Sequence, residues 1–399
     1  NYWTFQIGRD RMNWGAGETG NLILGDNLKF HNLARFTTFG ENFKYTFVTS
    51  FFPHPSSYMN VLPDAENYDP HQATPTVGDS QKALVIGINM YMAHRLEWRF
   101  FKDRLGLALT ESIMYQSLEN TFDLRFLNPS MIYHNYYIRS NANSILGLEI
   151  DYTPLKGMNV YAQMVVDEFA IPGEDYPSED VTNYPNAMGY LAGIRKIFPI
   201  KNAQGYASVE FAYTDPFLYL RFEQKNMANA SNPDHYHLNY VGVIREVANN
   251  VTYYNAEFIG YKYGGDAIVL NINGGAREFG NWKMELNGFY MAHGTFDIYT
   301  AFSRIGGEKL GEDGDSGVPH DISTPTTEHP TYNYQNPNAQ TVRKAASHTV
   351  VIGASGSYQI NENLEAFGQI DYINIQNFKN IPGNKSSDLQ LTIGISYRL

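Results

Sequence analysis

The last twelve residues of the chain, Asp388 to Leu399, alternate without an error. Leu389, Leu391, Ile393, Ile395, Tyr397 and Leu399 fall on one side, and Gln390, Thr392, Gly394, Ser396 and Arg398 on the other. Successive strand side chains point to opposite faces, so this period predicts a strand with one oily and one wet surface running to the final residue. A soluble sandwich and a membrane barrel both close on such strands. The pattern therefore needs the rest of the chain to decide between them.

Composition narrows the choice. The 399 residues include 30 Tyr, 24 Phe and 34 Gly, yet the mean hydropathy is only -0.38. Aromatics are abundant without the chain being greasy. No run approaches the roughly 18 apolar residues of a spanning helix, so a membrane crossing would have to use a closed set of strands. The absence of cysteine fits passage through an oxidising compartment. A net charge of -12 argues against nucleic acid as a partner, since phosphate binding needs a basic surface. Tyr2 to Ile7 already reads as strand, so the sequence looks like a processed product with no export signal of its own.

The terminal period recurs along the chain. Phe43, Tyr45, Phe47, Thr49 and Phe51 oppose Asn42, Lys44, Thr46, Val48 and Ser50, and the even positions from Leu84 to Phe100 are almost all apolar. Leu146 to Tyr152, Trp282 to Tyr290 and Leu364 to Tyr372 repeat it. The polar side carries charges of both signs: Arg95, Glu97, Arg99, Glu149, Asp151, Glu210, Arg221, Glu223, Lys283 and Glu285. Opposite charges in register on one face suit a wet lumen crossed by ion pairs.

Connection lengths give an independent test, because outer-membrane barrels alternate short periplasmic turns with long external loops. Tight links are expected at Gly40-Glu41, Phe101 to Asp103, Pro154 to Gly157, Lys201 to Gln204, Gly264-Gly265 and Asn361 to Asn363. Long loops are expected near 53-82, 118-140, 170-186 and 306-345. The fold class is thus all-β: a transmembrane, antiparallel outer-membrane β-barrel forming one domain over residues 1-399. The count is about 18 strands, or 16 if Phe217 to Glu223 is loop. The final strand should meet the first at closure.

Gly8-Arg9-Asp10-Arg11-Met12-Asn13-Trp14-Gly15-Ala16-Gly17, continuing through Leu22-Ile23-Leu24 to Asp26-Asn27, resembles the Wzi family of capsule-assembly outer-membrane proteins. Tyr161-Ala162-Gln163 leading to Asp167-Glu168, and Gly260 to Asp266, are further echoes. Ala16 stands where the family has proline, and the residues before Trp14 leave no room for the family's upstream helical portion. The resemblance implies a closed or plugged barrel that binds surface polysaccharide at the outer leaflet. Trp14, Gly15, Gly17, Asp26, Asn27 and Asp167 carry the motif, and Trp14 is expected to lock an inward-folded segment.

Sugar sites pair aromatic faces with carboxylates, amides and guanidinium groups. Tyr133, Tyr136 and Tyr137 beside Arg139 offer such a set, with Arg95 and Arg99 as partners for an anionic polymer. The same tyrosines would equally serve an aromatic girdle at headgroup level. No motif reads as catalytic. Gly314-Asp315-Ser316-Gly317 lies in an acidic, Pro-rich loop, His94 and His348 are placed at strand ends without a nucleophile, and His235 with His237 lacks a third metal ligand. Glu312 to Ser316 has cation-like spacing without the distant bidentate glutamate. The chain is expected to be no enzyme and to use neither cofactor nor metal. Its expected partners are surface polysaccharide and outer-membrane lipid, while a solute channel and a structural coat protein remain open alternatives.

Overall fold

The computed structural model describes residues 2–53, 88–117, 124–128, 133, 142–169, 187–220, 238–249, 251–294, 296, 298 and 345–398. The first strands are β1 (Trp3–Asp10), β2 (His31–Phe39), β3 (Phe43–Phe51), β4 (Ile88–Phe100) and β5 (Leu105–Ser117). They are followed by β6 (Ala142–Tyr152), β7 (Met158–Glu168), β8 (Ala187–Ile200), β9 (Ala203–Thr214), β10 (Val241–Ala248) and β11 (Val251–Phe258). The chain ends through β12 (Ala267–Glu278), β13 (Trp282–His293), β14 (Ser347–Asn361), β15 (Leu364–Gln376) and β16 (Lys385–Tyr397).

Fourteen of these strands form one antiparallel sheet in the order β1 to β9, then β12 to β16, and β10 pairs only with β11. Sixteen strands among the described residues match the lower of the two expected counts, because 217–220 is a turn and not a strand. Only fourteen belong to the wall. The reason lies in β10, where Val241, Gly242, Val243 and Ile244 are consecutively buried. A ribbon buried on both faces loses the alternation that a lipid-facing wall requires.

Short links at 40–42, 101–104, 153–157, 201–202, 279–281 and 362–363 all fall at one end of the sheet, and the long connections at the other. Five of the six expected tight links are wall turns. Gly264-Gly265 is not; it lies between β11 and β12, and the missing turn is 279–281, where Gly280 takes φ +74°. By the asymmetry of outer-membrane barrels, the short-turn end is periplasmic. β1 and β16 are the two edges of the sheet and are not hydrogen-bonded to each other, so the expected pairing at closure is not seen.

The outer face is a band of exposed apolar groups. Leu146, Leu148 and Ile150 on β6, Tyr190 and Ile194 on β8, Met284 and Leu286 on β13, and Leu389, Leu391, Ile393, Ile395 and Tyr397 on β16 all face outward, Ile393 being 77% exposed. A continuous apolar surface of this kind is stable only against lipid. The protein is therefore an outer-membrane β-barrel protein in fold and location.

The inner face is filled from two inserts. Residues 11–30, between β1 and β2, contribute Met12, Leu22, Ile23, Leu24 and Leu28 to the principal core, and the connection from β9 to β12 contributes Phe217 to Leu220, Tyr240, Val241, Val243, Phe258, Ile259 and Tyr261. Both pack against inward residues of the wall such as Tyr91, Ala93, Tyr161, Val165 and Leu191. Glycine makes room: a side chain added at Gly147 would collide with Ile23, and one at Gly193 with the Tyr161 ring. A second cluster lies outside the wall, where Phe126 and Tyr133 cover Met90, Met92, Ile113 and Tyr115.

Gly147→Val is expected to cost roughly 1–3 kcal/mol through overpacking against Ile23. Gly288→Val, where no atom stands within 4 Å of the added carbon, should be near neutral. Urea unfolding of both variants in lipid vesicles checks this; equal stability would mean that the insert does not press on the wall.

Candidate functional site

The Trp14 motif builds the floor of the plug. Trp14 donates its backbone N–H to the Leu24 carbonyl at 2.9 Å, which closes the insert into a narrow loop. Gly15 has φ +120°, and any side chain there would strike Gln163 and Asn21. Only glycine meets both demands. Gly17 donates to the Asn21 side-chain oxygen at 2.9 Å, and Asn27 clamps the far end of the loop by donating to the carbonyls of Phe258 and Gly260 at 2.8 and 2.7 Å. Asp26 stays at the surface beside Arg11, 3.8 Å away. Asp167 joins the other insert, accepting the Tyr219 N–H at 2.9 Å.

Glu210 on β9 holds this loop to the wall. Its buried carboxylate accepts the N–H groups of Glu18 and Thr19 at 2.7 Å each, the Thr19 hydroxyl at 2.6 Å and the Tyr161 hydroxyl at 2.7 Å. Around it, Gln163 accepts the Leu22 N–H at 2.8 Å, and Arg195 donates to the Ala16 carbonyl. The second insert is tied by tyrosines: Tyr219 donates to the Leu22 carbonyl, and Tyr240 donates to the carbonyls of Ser112 at 2.5 Å and Asn143 at 3.1 Å. Burial raises the pKa of Tyr219, Tyr240 and Tyr261 well above the ordinary tyrosine value, so these hydroxyls stay protonated and able to donate.

Between the plug and the short-turn end lies a cavity of about 450 Å³. Gly15 and Ala16 of the insert line it, with Arg95, Glu97 and Arg99 from β4, Glu149 and Asp151 from β6, Asn159, Tyr161 and Gln163 from β7, and Arg195 from β8. Arg95 and Glu149 form a buried two-pronged pair, and Arg95 lies over the Trp14 ring with 5.2 Å to its centroid. Nearer the mouth, Arg99 meets Asp151 at 2.9 Å. Lys44 reaches Glu97 at 2.7 Å, and Arg195 covers the Tyr161 ring at 4.5 Å while facing Glu18 at 3.5 Å.

The structure thus gathers Arg95, Arg99, Glu97, Glu149, Asp151 and Gly15, all picked out by their place on the wet face or in the motif, into one cavity. Asn159, Gln163 and Arg195 were missed there, although their place on the wet face was readable from the strand period. Tyr133 is not presented to solvent: it is buried on the outer wall, its hydroxyl donating to the Phe126 carbonyl at 3.3 Å and its ring 4.7 Å from that of His94. His94 itself sits in the middle of β4, not at a strand end, and takes a hydrogen bond with the Tyr45 hydroxyl at 2.7 Å. Tyr136, Tyr137, Arg139, Arg221, Glu223, His235, His237 and the 312–317 run lie outside the described residues. Among the described residues no group of three or more acidic or histidine side chains could hold a metal.

No family model and no curated protein matches the sequence. Solved structures do. Wzi of Escherichia coli, described as an outer-membrane protein involved in group 1 capsule assembly and a carbohydrate-binding β-barrel, aligns over 99% of this chain and 67% of its own, at 13% identity and a TM-score of 0.50. The channel DcaP of Acinetobacter baumannii aligns over 99% and 95%, at 8% identity and a TM-score of 0.32, and the FrpB iron transporter of Neisseria meningitidis over 100% and 56%, at 10% and 0.38. At such identity the likeness to Wzi is one of fold, a distant outer-membrane barrel relationship, and it does not make the chain a member of that family.

Arg95→Ala should destabilise the barrel by about 3–5 kcal/mol, because Glu149 would be left buried and uncompensated. The paired replacement Arg95→Met with Glu149→Leu should recover most of that loss. Unfolding in lipid vesicles measures both, and a single variant as stable as the wild type would show that the pair is not buried in the folded barrel.

Proposed function

We propose that this protein is a non-enzymatic outer-membrane barrel that binds surface polysaccharide and helps hold it at the cell surface. The observation that carries the reading is the plug. Two inserts occupy the inner side of the wall from β2 to β13 with tightly packed tyrosine, phenylalanine and leucine, and buried hydrogen bonds tie them to the wall. A barrel filled in this way gains a rigid frame for its loops and gives up an open aqueous path. The fold likeness to a carbohydrate-binding barrel involved in capsule assembly points in the same direction.

A channel reading has one observation in its favour. Ser355 and Ser357 on β14, Gln369 on β15, and Gln390 and Thr392 on β16 face inward by strand parity, are small or polar, and are left partly or fully exposed beside the plug. Conductance separates the two. Purified protein in planar bilayers is expected to show no large steps, whereas Glu210→Ala, which removes the three hydrogen bonds that Glu210 accepts from the plug loop and the one it accepts from Tyr161 of the wall, should produce them. A deletion strain is expected to shed most of its attached polysaccharide into the medium. Large steps from the wild-type protein, together with normal polysaccharide retention, would sink the proposal.

A further inference from the structure

From the cavity beneath the plug we infer a second, periplasm-facing binding site that takes a neutral sugar unit. The inference rests on the polysaccharide reading only for its biological sense; the chemistry stands by itself. The cavity volume of about 450 Å³ falls within the range of small-molecule sites. Its lining extends from the insert residues Gly15 and Ala16 to Arg99, Gly106, Asp151 and Asn159, which adjoin the short turns at 101–104 and 153–157. Because short turns are periplasmic, this places the site on the side opposite the external loops.

The donor and acceptor inventory selects the ligand. Three guanidinium groups, Arg95, Arg99 and Arg195, meet three carboxylates, Glu97, Glu149 and Asp151, so the lining carries no net charge. A phosphate or a uronate would have to displace a carboxylate that is already paired, as Asp151 is to Arg99 at 2.9 Å. Tyr161, the one aromatic ring in the lining, has Arg195 over one face at 4.5 Å to the centroid, which leaves little of it for stacking by a flat aromatic ligand. What remains is unspent hydrogen bonding. The Nε–H groups of Arg95, whose side chain is 93% buried, and of Arg195 have no acceptor, and the nearest carboxylate oxygens stand at 3.5 Å, too far for a good bond. Buried donors of this kind are usually satisfied by water or ligand. A sugar hydroxyl accepts from a guanidinium with one lone pair and donates to a carboxylate with its proton, which suits alternating charges of zero sum.

The test uses the full chain in detergent, titrated by calorimetry with maltose, lactose and cellobiose, and with digalacturonate as the charged control. At least one neutral disaccharide should bind with single-site stoichiometry, and digalacturonate should not compete. Asn159→Trp, which fills the mouth, should abolish binding. Asp151→Asn at the rim should weaken it about tenfold or more. Arg277→Ala, outside the cavity, where the guanidinium donates to Gln204 at 2.9 Å and lies over the Phe279 ring, should leave it unchanged and controls for folding. No binding of any neutral sugar, preference for the charged one, or binding untouched by Asn159→Trp would each overturn the inference. Retention of cell-surface polysaccharide is scored separately in the Asn159→Trp strain. Normal retention with lost sugar binding leaves the surface role standing, and lost retention in the deletion strain alone concerns only that role.

Discussion

The carboxylate of Glu210 sits where wall and plug meet, and most of the interior arrangement depends on it. An isolated buried carboxylate is costly, so a site that keeps one must surround it with donors. Here two come from the backbone of the inserted loop and two from the hydroxyls of Thr19 and Tyr161. Tyr161 in turn lies under Arg195, which also grips the Ala16 carbonyl and faces Glu18. Loop, strand and charged cavity are therefore one hydrogen-bonded unit. A shift of the loop would strand several buried groups at once.

That coupling explains why the inner face differs so much between its two halves. From β2 round to β13 the wall presents large or charged groups that meet the inserts, and two of its glycines make room for insert side chains, Gly147 for Ile23 and Gly189 for Leu218. On β14 to β16 the inward positions are mostly small or polar, with Val351, Phe367, Ile373 and Ile375 as the apolar exceptions, and among the described residues none of them joins the principal core of the inserts. The outer face shows no such division, since it answers only to lipid. Two solvents thus read the same strands by different rules.

The outer rule is the legible one. Alternation of apolar residues marked β3 to the residue, and placed β13 and β15 within a few, because lipid imposes a period of two regardless of what lies inside. Inward charges were legible for the same reason, which is how Arg95, Glu97, Arg99, Glu149 and Asp151 could be grouped before their contacts were known. What the period could not show was which apolar run leaves the wall. Val241 to Ile244 reads as four buried residues in succession, a signal that fits a core ribbon as well as a wall strand, and only its partners decide. Tyr133 failed for a related reason: an aromatic in a long connection can reach solvent, headgroups or the outer wall, and here it found His94.

His94 shows how a polar group is tolerated on the lipid side. It faces outward on β4, directly opposite Glu111 on β5 and beside Phe47 on β3. Bare exposure of such a group to hydrocarbon would be costly, more so if it were charged. The ring is instead enclosed by Phe47 at 4.9 Å and Tyr133 at 4.7 Å, with the Tyr45 hydroxyl bonded to its Nδ1. Tyr133 belongs to the long connection between β5 and β6, so that connection supplies the cover that the strands alone lack. The same chain economy governs both sides of the wall. At two places a strand carries a group its solvent would reject and a connection from the long-loop end folds back to meet it, inward at Glu210 and outward at His94.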